Sequence, residues 1–100
     1  MTPTPGFKVG ISGAIREKLA RLGRHAAIDD RGETFLTAVR AILARLHSDP
    51  VTYGEELFEL RAMQLTIKIA VRYPLAVEFG VYPDRRQVIV RTFHYLTPAE

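Results

Sequence analysis

From Leu65 to Val71 every odd position is apolar (Leu65, Ile67, Ile69, Val71), and the even positions hold Thr66, Lys68, Ala70 and Arg72. After Tyr73-Pro74 the alternation resumes, with Leu75, Val77, Phe79 and Val81 set against Ala76, Glu78, Gly80 and Tyr82. A period of two is the mark of a half-buried strand. The pattern predicts two strands joined near Tyr73-Pro74, with the odd residues on one buried face. Lys68, Arg72, Glu78 and Tyr82 are then expected together on the opposite face.

The rest of the chain divides by the same test. Phe7 to Ile11 alternates and is expected as a short first strand, followed by Ser12 as a helix N-cap. Ile15, Leu19, Leu22 and Ala26 recur at helical spacing, so a helix should run to about Ala27, with Arg16, Lys18, Arg21 and Arg24 off its apolar stripe. "DDRGE" interrupts it. Asp30 and Glu33 stand three apart, the spacing of a capping box, and predict the start of a second helix. Its stripe is Phe35, Leu36, Val39, Ile42, Leu43 and Leu46, and Pro50 ends it. Val51 to Gly54 reads as loop, Leu57 to Ala62 as extended, "PDRR" as a turn, and Gln87 to Tyr95 as the last strand. The order is β-α-α-β-β-β. Consecutive strands with short turns imply an antiparallel sheet with a helical hairpin on one face, an α+β fold whose other face is partly open to solvent.

A chain of 100 residues makes one domain, with residues 1–6 expected as a flexible arm and 97–100 as a frayed end. At 47% hydrophobic and 25% charged it falls in the ordinary globular range rather than the disordered one. The absence of cysteine excludes a disulfide framework and a thiolate metal site, and fits a reducing cytoplasm. No apolar run approaches the length of a membrane span. "MTPTPGF" lacks the basic and apolar regions of a signal peptide. A net charge of +3 is compatible with nucleic acid or an acidic protein as partner, and equally with a solvated surface.

Lys68 and Arg72, four residues apart on one strand, suit phosphate contacts along a nucleic-acid backbone, although two such cations also suit plain solvation. Glu55, His94 and Tyr95 carry acid–base chemistry. RNA cleavage needs a base for the 2′-hydroxyl, an acid for the leaving oxygen and cations around the phosphate, and a carboxylate, an imidazole and Lys/Arg residues supply these without metal or cofactor. A lone Glu in a loop and a lone His near a chain end are equally ordinary surface residues. His25 and His47 fall at helix C-termini, where the helix dipole favours a cation. The three His residues lack metal-ligand spacing. No glycine-rich phosphate loop and no nucleophile elbow is present.

This element order, with a basic small chain, resembles the RelE/ParE superfamily of bacterial toxins. "AVRAILARLHSDPVTYGEEL" is similar to the end of the family's second helix and the loop after it. "TIKIAVRYPLAVEFGVYPDRRQVIVRTFHYL" is similar to its strand pair, tight turn and last strand. "VRTFHY" resembles the terminus of the YoeB branch, whose members are ribosome-dependent mRNA endonucleases. On that resemblance Glu55 is the general base, His94 the acid and Tyr95 a base-stacking residue, while Lys68, Arg72 and Arg91 brace the phosphate. The resemblance implies the toxin of a type II toxin–antitoxin pair. Its partners would be a cognate antitoxin and the ribosome with its mRNA, with a homodimer left open. The chain departs from the family at Ala76, where an arginine is usual, and Glu78 adds a negative charge nearby. That departure keeps a second class in view: a non-catalytic binding module, either a ParE-like topoisomerase inhibitor or a degenerate toxin held in a protein complex.

Overall fold

The computed structural model describes residues 6–96. Apart from Gly6, the expected arm at 1–6 and the frayed end at 97–100 lie outside the described residues. The order along the chain is β1 (Lys8–Gly10), α1 (Gly13–Ile28), α2 (Gly32–Ser48), β2 (Glu55–Leu60), β3 (Leu65–Arg72), β4 (Leu75–Tyr82) and β5 (Gln87–Tyr95). Both helices pack on one face of a five-stranded sheet of order β1-β5-β4-β3-β2, the α+β fold that the sequence pattern predicts. β2 to β5 form an antiparallel meander, whereas β1 lies parallel to β5, so the sheet is mixed. No tight turn joins β1 to β5, and nothing in the local sequence imposes an antiparallel pairing there.

Ser12 caps α1 as expected, its hydroxyl accepting from the Ile15 amide at 3.2 Å. α2 begins differently. Arg31 occupies its N-cap without a side-chain hydrogen bond, and Asp30 is left-handed at φ 60°. The reason lies at the end of α1. Asp30 and Arg31 donate their amides to the carbonyls of Ala27 and Ala26, closing the helix end with a left-handed residue. Asp30 is used as the stop of α1, so it is not free to start α2.

The main core is built from Phe35, Ala38, Ile42 and Leu46 of α2, Ala26 of α1, and Ala70, Leu75, Val77, Phe79, Val81, Val88, Val90 and Phe93 of the sheet. Leu65, Ile67 and Tyr82 form a separate small cluster on the other side. The odd residues of β3 and β4 therefore do not share a face, contrary to the reading from alternation. The turn between them has two residues and pairs Arg72 with Leu75, so each even residue of β3 stands opposite an odd residue of β4. Directly paired residues project to the same side of a sheet. Lys68 thus sits beside Phe79 on the helix side, and Ile67 beside Gly80 on the open side.

Both other hairpins turn through a short 3-10 segment ended by a left-handed residue, Gln64 in one and Arg86 in the other. They pair Leu60 with Leu65 and Tyr82 with Gln87, which again exchanges odd and even. Two register shifts finish the pattern. One falls between Glu56 and Phe58, leaving Leu57 unpaired, and one falls opposite Glu78/Phe79, leaving Arg91 unpaired. The second changes the parity of β5, so that Val88, Val90 and Phe93 all enter the main core.

Candidate functional site

The six residues singled out from the sequence divide between the two faces. Glu55 pairs with Ile69, and His94 pairs with Ala76, which places both on the open side. Arg91 joins them, its guanidinium 3.7 Å from the Glu78 carboxylate. Tyr95 pairs with Leu75 and turns the opposite way. Its ring meets that of His25 edge-on, centroids 5.4 Å apart, and its hydroxyl is buried with no hydrogen-bond partner among the described residues. His94 and Tyr95 are adjacent in sequence and therefore face away from each other, as neighbours on a strand must.

Lys68 is a correction to the expectation of a basic open face. It is only 7% exposed, on the helix side, and its ammonium donates to the Val51 carbonyl. Arg72 also leaves the expected position. It pairs with Leu75 on the helix side and borders a hollow with Glu33, Thr37 and Tyr73. The cause is the two-residue turn, which puts the even residues of β3 under the helices. Lys68 ties the loop after α2 to β3 where a phosphate contact was expected. Lys68→Ala should therefore cost about 2–3 kcal/mol of stability, because it removes a buried stem and leaves a carbonyl unpaired. Lys68→Met should recover part of that loss. Urea denaturation of the two variants checks this, and an unchanged midpoint for Lys68→Ala would contradict it.

The acid–base groups are not brought to one point. Glu55 lies on the edge strand β2 and His94 on β5, three strands away. At about 4.8 Å per strand their backbones are separated by roughly 14 Å across the sheet, before any offset along the strands. Strand side chains stand roughly perpendicular to the sheet, so neither group is aimed at the other. Arg91, the one cation of the set on the open side near the middle of the sheet, is turned toward Glu78. Among the described residues, two groups outside this set are displaced from their ordinary pKa. The Thr52 hydroxyl, donating to the Asp49 carboxylate, holds that carboxyl below its usual range. Burial pushes the Tyr53 phenol up, against the Arg45 guanidinium 4.6 Å above its ring.

The open side carries something that charge-based reasoning passed over. Phe58, Leu60, Leu65, Ile67 and Ile89 line a cleft of about 360 Å³ with Arg91 at its rim. Gly80 forms its floor: a Cβ there would lie 2.8 Å from a Leu65 methyl and 3.2 Å from an Ile67 methyl. Phe58, Leu60 and Ile89 remain substantially exposed, as do Leu57 and Met63 close by in the chain. The signal for this cleft was present in "ELFEL", where Phe58 and Leu60 fall two apart on what reads as an extended segment.

Compared with known protein families, curated proteins and solved structures, the chain matches none. Among the described residues no helix is long and apolar enough to cross a membrane.

Proposed function

We propose that this protein is a non-catalytic binding module, a toxin-like fold that docks another protein through the open face of its sheet. The observation that carries the proposal is the exchange of faces. The side expected to be basic is lined by Phe58, Leu60, Leu65, Ile67 and Ile89, while Lys68 and Arg72 lie on the helix side. The exposed Phe58, Leu60 and Ile89 surround the buried Leu65 and Ile67, and an exposed apolar cleft of this kind marks a contact surface. Phosphate tracking would call instead for unpaired cations on that face. The absence of cysteine supports placing the module in a reducing cytoplasm.

The competing reading, a metal-independent ribosome-dependent endoribonuclease held by a cognate antitoxin, draws on Glu55 and His94 sharing the open face. One experiment separates the two. Wild type, Glu55→Gln and His94→Ala are each added to translating ribosomes, and mRNA cleavage is followed by primer extension. The expected result is no cleavage above background in any of the three. Cleavage by the wild type that falls about a hundredfold in either variant, the usual scale for a general acid or base, would establish the enzyme instead.

A further inference from the structure

We propose that β2 accepts an extended segment of a partner protein as a sixth strand, and that this segment alternates apolar residues with lysine or arginine. The inference rests on the docking reading and adds the partner's conformation and charge. β2 ends the sheet, and all six of its residues are exposed. An edge strand presents a row of backbone N–H and C=O groups able to pair with another chain. The other edge is shorter: β1 has three residues, and the residue before it donates its amide to the His47 carbonyl at the end of α2.

Charge selects the partner. Glu55, Glu56 and Glu59 lie within six residues of a chain whose net charge is +3. Among the described residues none of the three is in a salt bridge. Lys68, across the ladder from Glu56, is committed to the Val51 carbonyl. A second copy of this chain is disfavoured as the occupant. Antiparallel self-pairing centred on the strand would set Glu56 against Glu59, and parallel pairing in register would set each Glu against itself. Like charges directly opposite each other destabilise a ladder. A basic strand meets no such penalty.

The faces of β2 then specify the alternation. Phe58 and Leu60 pair with Ile67 and Leu65 on the open side, whereas Glu56 and Glu59 pair with Lys68 and Thr66 on the helix side. An added strand continues both faces. Its apolar residues extend the cleft past Phe58 and Leu60, and its cations stand beside Glu56 and Glu59.

Two synthetic ten-residue peptides test the proposal against the full chain, one alternating valine with lysine and the other alternating valine with glutamate. The expected result is that the lysine peptide binds at least tenfold more tightly by fluorescence anisotropy. It should weaken as salt rises and slow amide hydrogen exchange specifically at 55–60. The charge-reversed variant Glu56→Lys/Glu59→Lys, altered only at exposed positions, should invert the preference. Equal binding of the two peptides, no binding of either, or an unchanged preference in the variant would overturn the proposal. Lysine-peptide binding that perturbs Phe58 and Ile89 without protecting β2 amides would overturn strand addition while leaving the docking face standing. Ribosome-dependent cleavage, by contrast, would remove the docking reading itself.

Discussion

Phe79→Ala is expected to lower the free energy of unfolding by about 3–5 kcal/mol. Phe79 is fully buried in β4, between Lys68 of β3 and Val90 of β5. Its ring stacks on Tyr53, centroids 6.0 Å apart, and it belongs to the same core cluster as Ile42 and Leu46 of α2. Truncation leaves a cavity between sheet and helix that neither layer can close alone. It also takes away the surface that holds Tyr53, so the loop between α2 and β2 should loosen with it. A domain of this size has roughly 5–15 kcal/mol of stability in all, and the variant is expected to sit near the edge of folding. Urea denaturation checks the prediction, with the midpoint lowered and the slope unchanged. A loss below about 1 kcal/mol would mean that Phe79 is not at the centre of the packed layer.

Gly54→Ala is the second large effect. Gly54 has φ +75°, in the left-handed region where a side chain costs about 1–2 kcal/mol. A Cβ there would also overlap the Ile69 carbonyl oxygen and lie 2.9 Å from the Ala70 Cβ. Both neighbours belong to β3, an inner strand of the sheet that is paired on both sides and cannot withdraw. The combined loss should reach about 3 kcal/mol, a fall in melting temperature on the order of 10–20 °C. Gly13→Ala is the matched control. Apart from its chain neighbours and its own helix backbone, no heavy atom of the described residues lies within 4 Å of a Cβ built there, and the residue opens α1. It should be neutral or stabilise by up to about 1 kcal/mol. Similar melting temperatures for the two variants would refute the close approach of Gly54 to β3.

The fate of particular residues separates what the sequence determined from what it did not. Ser12, the stripe Ile15–Leu19–Leu22–Ala26, Pro50 and the alternating runs from Leu65 to Val81 act over a few residues. Their periods of 3.6 and 2 therefore predicted the helices, the strands and the α+β arrangement from local physics alone. Asp30 shows the first limit. Its spacing to Glu33 suggested a cap for α2, but the end of α1 needed its backbone for the turn between the helices. Competing local uses of one residue are settled only once both helices are packed.

The candidate site shows the larger limit. Alternation states which residues of one strand share a side, and it is silent on which side of the sheet that is. Register decides the side, through the two-residue turn at Tyr73-Pro74 and the unpaired residues Leu57 and Arg91. Those features carried Lys68, Arg72 and Tyr95 toward the helices. They left Glu55 and His94 three strands apart, and they brought Phe58, Leu60, Leu65, Ile67 and Ile89 together around Gly80. A change of one in loop length or bulge count moves every later side chain to the other face. The elements of this protein were written locally for that reason, and only the assembled sheet decided what its open surface presents.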